Sequence, residues 1–270
     1  MHIVTHELPH KNALDTLRRV FDNFDEEIVG RRVLDFGCGN GFQACAMAKL
    51  GARQVIGLDT NPKSIAHARA LALEMGLCGK VEFGDTPKQF GAMQFDVVIS
   101  QNSMEHFADP ANVIEQMKHA LAPGGKLFIT FGPPWFAPYG SHMRFITPLP
   151  WVNILLPERT VMKIRARYIH DGAMRYEDVE GGLNKMTLRK FEKLMRESGM
   201  TITHCRYDCV KGLNFLGRLP IMRELFINHI SCIGYLKASP SCSHKQISSR
   251  KPAIQQTGLG KIVQLHCRSH

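Results

Sequence analysis

The stretch VLDFGCGNGF, residues 33–42, decides how the whole sequence is interpreted. A short apolar run delivers Asp35 and then glycines at positions 37, 39 and 41. Glycine tolerates positive φ and lets a ligand approach the backbone closely, so this turn is typical of a ligand-binding loop after a buried strand. A carboxylate beside the loop would repel a pyrophosphate. We therefore expect a ligand with a cationic end.

The segments around this stretch alternate between short apolar runs and helical patterns of ten to fifteen residues, which predicts βαβ units and a parallel sheet covered on both faces. After the first strand, the predicted strands lie in these segments: QVIGLDTN (54–61), VEFGD (81–85), FDVVISQNS (95–103), GKLFITFG (125–132), TITHCRYDCV (201–210) and HISCIGYL (229–236). Before the first strand, the apolar spacing of residues 11–28 predicts one amphipathic helix.

Two further strands also end in acids, Asp59 and Asp85. Asp59 follows Asp35 by 24 residues, near the offset at which an acid binds ribose hydroxyls in open α/β folds. Because parallel strands end at one edge of a sheet, the sequence predicts that all three carboxylates meet at a ligand site there.

These motifs, in this order, resemble the class I S-adenosylmethionine-dependent methyltransferases, most closely their small-molecule (type 11) branch, over about residues 10–237. The resemblance implies a Rossmann-like, doubly wound, seven-stranded and mostly parallel sheet of order 3-2-1-4-5-7-6, with an insertion after strand 5. It also implies S-adenosylmethionine as the methyl donor. The residues that would contact its methionine, ribose and adenine parts are Asp35, Gly37, Cys38, Gly39, Asp59, Thr60, Asn61, Asp85, Thr86, Gln101 and Asn102.

The domain organisation follows from where the regular pattern stops. We expect a methyltransferase domain over 1–237 and a basic, disordered tail over 238–270, which carries five of the ten net positive charges. Within the domain, residues 133–186 are rich in proline and aromatic residues and predict a lid or acceptor-binding insertion. Its candidate acceptor contacts are Trp135, Tyr139 and His142.

Methyl transfer from a sulfonium is an in-line displacement, so the enzyme mainly positions the reactants, and a base is needed only when the nucleophile loses a proton. His106, just past the fourth strand, and His142 are the candidate bases, although each is also consistent with a packing role. The expected acceptor is a small or lipophilic molecule methylated at O, N or C. The alternatives are an RNA or protein methyltransferase, or an inactive homologue that still binds the donor.

Other features set the expected surroundings of the protein. GPPW at 132–135 follows the fifth strand and begins with glycine, so it does not match the step that holds an amino group in nucleic-acid methyltransferases, and a nucleic-acid partner is not expected. Apolar residues of the insertion with nearby arginines suggest peripheral membrane contact.

Eight cysteines without a CxxC pair, and no secretory signal pattern, predict reduced thiols in the cytoplasm. No metal site is expected, because Cys242, His244, Cys267 and His270 lie in the low-complexity tail.

Overall fold

A computed structural model describes residues 12–213, 215–220 and 222–236. Its centre is a seven-stranded sheet of order β3-β2-β1-β4-β5-β7-β6, which confirms the predicted fold. β7 is antiparallel to both β5 and β6, and the other pairs are parallel. The strands are β1 Arg32–Phe36, β2 Gln54–Leu58, β3 Val81–Gly84, β4 Phe95–Gln101, β5 Leu121–Phe131, β6 Thr201–Cys209 and β7 Ile227–Tyr235.

The helices cover both faces of this sheet. They are α1 Asp15–Val20, α2 Phe24–Ile28, α3 Phe42–Leu50, α4 Pro62–Glu74, α5 Pro110–Ala120, α6 Val152–Leu155, α7 Glu158–Arg165, α8 Leu188–Glu197 and α9 Arg223–Phe226. Side chains alternate along a strand, so Val33 of β1 packs in a core with α1 to α4, whereas its neighbour Leu34 packs in a second core with α5 and α8.

The prediction of one continuous helix over 11–28 is wrong. The structure has two short helices, α1 and α2, and Asn23 between them adopts a left-handed backbone conformation with φ of 56°. The predicted apolar face is nevertheless buried, since Leu17 and Phe24 on either side of the break both enter the core. Ring packing of Phe21 and Phe24 on Phe128 of β5 holds both turns against the sheet.

The insertion between β5 and α8 builds a small hydrophobic core of its own. Met143, Val161 and Tyr176 are buried in it, and the ring of Trp135 packs edge-on against Tyr176 with centroids 4.8 Å apart. The insertion is thus a folded unit rather than an extended loop. Its role as a lid and the boundaries of the two predicted domains stay predictions. The 238–270 tail, with its candidate metal ligands, lies outside the described residues.

The expectation of reduced thiols fails at one pair of cysteines. Cys205 and Cys232 form a disulfide between β6 and β7, where the antiparallel register places them directly opposite each other with Cα atoms 4.3 Å apart. The two cysteines are 27 residues apart in the chain, so their spacing carries no signal of pairing. Cys38, Cys45, Cys78 and Cys209 are free.

Candidate active site

A cavity of about 1060 Å³ opens where β1, β2, β3 and β4 end. Carboxyl ends of parallel strands are where open α/β sheets bind ligands. His106 lines this cavity. All of the predicted donor-binding residues line it as well, namely Asp35, Gly37, Cys38, Gly39, Asp59, Thr60, Asn61, Asp85, Thr86, Gln101 and Asn102. The sequence therefore predicted which side chains the fold brings together here.

The loop after β1 is held close to its neighbours by its backbone. The amides of Gly37 and Cys38 both donate to the carbonyl of Leu58, at 2.8 and 2.9 Å, so the loop bends toward the end of β2. Gly37 has a φ of 84°, and a Cβ atom there would lie 2.5 Å from Oγ of Ser103 in the loop after β4. Only glycine fits at this position, because both the backbone conformation and the close approach exclude a side chain.

Asp59 ties the first two loops together. Its Oδ2 accepts a hydrogen bond from the Gly39 amide at 2.9 Å, and its Oδ1 accepts one from the Asn61 amide at 2.8 Å. Asn61 in turn caps α4 by accepting from the amide of Lys63 at 3.0 Å, with Pro62 in the first turn. The carboxylate therefore lies at a fixed position on the cavity wall, with lone pairs left to accept further hydrogen bonds.

Asp35 is the most unusual acid of the site. Its side chain is 1% exposed, and Oδ1 accepts from Nε2 of Gln43 at 2.9 Å. Oδ2 is buried and has no hydrogen-bond partner within the described chain. Burial raises the pKa of this carboxyl to about 7, the Gln43 hydrogen bond opposes the shift, and the negative charge of Asp59 adds to it. An orphaned, buried carboxylate oxygen facing a cavity fits a cationic group such as an ammonium.

The remaining predicted donor contacts come from the ends of β3 and β4. Asp85 is exposed and accepts from Nε2 of Gln89 at 2.7 Å, while Thr86 caps a 3₁₀ turn over Pro87–Phe90. Oε1 of Gln101 is buried without a hydrogen-bond partner among the described residues. Asn102 turns the chain away from the sheet with a φ of 50°, and its amide donates to the carbonyl of Thr130 at 2.8 Å.

His106 combines exposure to the cavity with a fixed ring orientation. Its Nδ1 lies 2.6 Å from the carbonyl oxygen of Gly182 in the insertion. Because a carbonyl oxygen only accepts, we assign the proton to Nδ1, which leaves the lone pair on Nε2. A neutral imidazole held in this tautomer can accept a proton at Nε2.

The structure does not bring the three predicted acceptor contacts to the cavity wall, since Trp135, Tyr139 and His142 are absent from its described lining. Tyr139 donates its hydroxyl to the carbonyl of Pro148 at 3.1 Å. The His142 ring lies edge-on behind His106, with centroids 5.5 Å apart. Burial, aided by the nearby His106, lowers the pKa of His142 to about 4. His142 is therefore a neutral side chain that supports the His106 ring in this structure.

Sequence reasoning missed the residues that attach the insertion to the site. Nδ2 of Asn184 donates to the carbonyls of Met104 and Phe107 at 2.8 and 2.7 Å, and the Asn184 amide donates to the carbonyl of Glu105 at 2.9 Å. These contacts join residues nearly 80 positions apart, so no local pattern signals them. The sequence does carry one signal here, the adjacent glycines 181 and 182, which indicate a turn with positive φ. In the structure both glycines have positive φ, and they lie beside His106.

Gln43 was also missed, although it could have been found. It is the second residue of α3 and follows Asp35 by eight positions, which places its amide over the strand end. A polar side chain at the start of the helix after a ligand-binding loop is a recognisable candidate partner for a buried strand-end acid.

Comparison with known proteins agrees with this geometry. A family described as a methyltransferase domain matches residues 34–129. A ubiquinone biosynthesis O-methyltransferase from Xanthomonas euvesicatoria pv. vesicatoria is 37% identical over 123 residues, which are 44% of this chain and 50% of that protein. The chain thus spans about half the length of the curated relatives it matches.

Solved structures share the fold at low sequence identity. A protein from Pyrococcus horikoshii is 18% identical with a TM-score of 0.56, covering 86% of this chain and 93% of that one. An S-adenosylmethionine-dependent methyltransferase from Mesorhizobium loti is 19% identical with a TM-score of 0.52, covering 82% and 97%. Together, the methyltransferase domain matched over residues 34–129 and the 3-2-1-4-5-7-6 sheet around it agree with the resemblance to the class I S-adenosylmethionine-dependent methyltransferases.

Proposed function

We propose that this chain transfers a methyl group from S-adenosylmethionine to a hydroxyl oxygen of a small or lipophilic acceptor, with His106 as the general base. One observation carries the proposal: the predicted donor-binding residues and the free Nε2 of His106 share a single cavity. The names of the curated relatives, which are O-methyltransferases of ubiquinone biosynthesis, favour oxygen over nitrogen or carbon.

The strand ends provide the donor site in this proposal. The donor, when bound, supplies a methyl group that its positively charged sulfur has already activated. Asp35 receives the ammonium on its unpartnered Oδ2, Asp59 accepts from ribose hydroxyls, and Asp85 accepts from the adenine amino group. The buried Oε1 of Gln101 lies at the end of β4, where it borders the reacting end of the cavity.

The chain's own chemical contribution is to orient a hydroxyl and remove its proton. His106 accepts that proton at Nε2, which gives a cationic ring with the charge shared over both nitrogens. The carbonyl of Gly182 keeps accepting from Nδ1 throughout, so it both fixes the ring and stabilises its charge. Asn184 holds this part of the insertion against the loop after β4, which sets the position of the carbonyl.

The experiment that tests the proposal combines donor binding with product formation. We expect calorimetry to detect binding of S-adenosylmethionine and its demethylated product, and labelled donor to pass its methyl group to an aromatic vicinal diol such as catechol. Asp59→Ala removes the carboxylate that joins two loops and should weaken donor binding ~100-fold or more, since hydrogen bonds to charged groups are the strong ones. Absence of heat with either nucleoside would contradict the proposal.

We also propose that the insertion makes peripheral contact with an anionic membrane, from which a lipophilic acceptor would enter. Large apolar side chains of the insertion are exposed, among them Phe145, Leu149, Ile154 and Leu155. Arg144 and Arg159, next to them in sequence, are exposed as well. Apolar side chains with flanking cations are the usual composition of an interfacial membrane contact.

Liposome sedimentation tests this contact. Vesicles that contain phosphatidylglycerol should pellet the wild-type protein. Leu155→Asp should reduce the bound fraction several-fold, because it puts a negative charge in place of an apolar side chain that would enter the membrane interface. Leu73→Asp is the matched control, since Leu73 is an exposed leucine on α4, outside the insertion. Equal pelleting of wild type and Leu155→Asp would refute membrane contact through α6.

A cytoplasmic location completes the proposal. Four of the six described cysteines are free thiols, which favours a reducing compartment, whereas the Cys205–Cys232 disulfide does not. Within the described residues, no helix is both long enough and apolar enough to cross a membrane. Cell fractionation with an antibody against the native protein would test the location.

A further inference from the structure

The charge of the cavity is opposite to the charge of the chain. The sequence carries a formal net charge of +10, yet the described cavity lining contains no lysine or arginine. It contains instead five acidic side chains from five separate segments of the chain: Asp35, Asp59, Asp85, Asp109 and Glu180. The basic residues that define the overall charge therefore lie elsewhere on the molecule.

Two cations of the insertion, Arg165 and Lys185, form ion pairs with acids that do not line the cavity. Arg165 pairs with Asp171 at 2.6 Å, and Lys185 pairs with Glu158 at 2.9 Å. Lys185 also lies over the rings of Trp135 and Tyr176, each 5.8 Å from its Nζ, so it packs against aromatic residues of the insertion. The one acid of the insertion that lines the cavity, Glu180, makes no ion pair within the part of the chain that the structure describes.

Two of the five acids lie at the end of the cavity that holds His106. Glu180 directly precedes Gly181, where an added Cβ would lie 3.3 Å from Nδ1 of His106, and Gly182 accepts the His106 hydrogen bond. Asp109 follows His106 by three residues and caps α5, with Oδ1 accepting from the amide of Asn112 at 3.1 Å. Among the described lining residues, His106 is therefore the only side chain that can carry positive charge.

We infer that the acceptor is uncharged or cationic, and that the site excludes acceptors carrying a carboxylate or a phosphate. The inference rests on the proposed function and specifies its substrate class. It stands on the five lining acids, of which Asp35 is buried with an oxygen that lacks a partner, so the field is built into the site. A bound donor brings one net positive charge, which offsets only one of the five carboxylates.

The consequence for an anionic acceptor is a loss of affinity. A carboxylate placed beside His106 would lie near Glu180 and Asp109, in a partly desolvated site where like charges repel more strongly than in water. An acceptor of the same shape without charge avoids this repulsion, and an ammonium gains attraction. The same field disfavours the phosphate backbone of RNA at this cavity, so it argues against the RNA methyltransferase alternative.

Three acceptors with the same reacting diol test the inference: catechol, 3,4-dihydroxybenzoate and 3,4-dihydroxybenzylamine. We expect kcat/KM for the benzoate to be ~10-fold or more below that of catechol at low salt, and that of the benzylamine to equal or exceed catechol. Raising the salt concentration to about 0.5 M should narrow both differences, because exposed charges such as Glu180 are screened.

Variants of Glu180 connect the discrimination to this structure. Glu180→Gln should reduce the preference for catechol over the benzoate ~3-fold, and Glu180→Lys should reduce it further or reverse it. The matched control is Glu177→Gln, which lies three residues away in the same segment, is exposed and does not line the cavity. It should leave the preference unchanged. Thermal unfolding of each variant checks that the fold is intact.

An equilibrium measurement separates this inference from the proposed function. The three acceptors are titrated into protein saturated with S-adenosylhomocysteine, and their dissociation constants should follow the same charge order even if no turnover occurs. Tight binding of the benzoate, equal to catechol, would overturn the charge inference while leaving methyl transfer intact. Donor binding without transfer to any of the three, but with the expected affinity order, would count against the proposed reaction alone.

Discussion

Asp35→Asn is expected to bind S-adenosylmethionine ~100-fold more weakly than the wild type and yet to unfold at a higher temperature above pH 7. Asparagine keeps the shape of the side chain, and its amide oxygen can still accept from Gln43. It removes the negative charge, however, and with it the partner that we assign to the donor's ammonium. Function and stability therefore change in opposite directions at this position.

The stability gain follows from the shifted ionisation of Asp35. Its pKa is about 7 in the folded protein, against the ordinary aspartate value of 3.8. Between these values the folded state holds a proton that the unfolded state has released, so the free energy of unfolding falls as pH rises from about 4 to 7. Asparagine avoids this loss, and we expect it to add about 1–3 kcal/mol at pH 8, or several degrees in Tm.

Two measurements check both halves of this prediction. Thermal unfolding without ligand should give a Tm difference between Asp35→Asn and wild type that grows from pH 5 to pH 8. Calorimetry should show that wild-type donor affinity rises from pH 6 to 7.5, because the ionised Asp35 is the form that binds an ammonium. Asp85→Asn, at an exposed acid of the same cavity, is the control for stability. A variant less stable than wild type at pH 8 would contradict this account.

His106→Gln should lower kcat ~100-fold or more while leaving donor binding close to wild type, because glutamine cannot accept the proton of the attacking hydroxyl. An acceptor with a more acidic hydroxyl, such as 4-nitrocatechol, should recover much of the loss, since it needs less help in losing its proton.

Controls distinguish a base from a residue that only packs. His119→Gln changes an exposed histidine on α5 and should leave kcat unchanged. His142→Ala removes the ring that packs edge-on against His106 and should have a smaller effect than His106→Gln. A larger effect at His142, or an equal loss with catechol and 4-nitrocatechol in His106→Gln, would remove His106 from the role of base.

The features that sequence reasoning predicted have a common physical origin. Strands and helices alternate with apolar patterns of fixed period, and parallel strands end at one edge, so the seven-stranded order and the meeting of Asp35, Asp59 and Asp85 follow from local signals. Glycine spacing likewise marks the loop after β1, because the positive φ at Gly37 restricts which residue can stand there.

The features that it missed depend on contacts between distant segments. The helical pattern of 11–28 does not signal the break at Asn23, on either side of which Phe21 and Phe24 pack on the distant Phe128. The Cys205–Cys232 pairing depends on strand register. The insertion has no family motif, so residue type alone indicated Trp135 and Tyr139 as acceptor contacts. In the structure these two residues contribute to packing within the insertion, and Glu180 and Gly181 line the cavity instead.

Under the proposed function, the attachment of the insertion through Asn184 constrains how this protein can change its acceptor. Three of the five residues from 180 to 184 have a role at the site. Glu180 is an acid of the cavity, the Gly182 carbonyl orients His106, and the Asn184 side-chain amide donates hydrogen bonds to the loop after β4. The rest of the insertion can diverge to suit another acceptor, but a chimera that replaces this short segment would also displace the proton-accepting ring. Grafting a foreign insertion should therefore succeed only when its junction preserves these five positions.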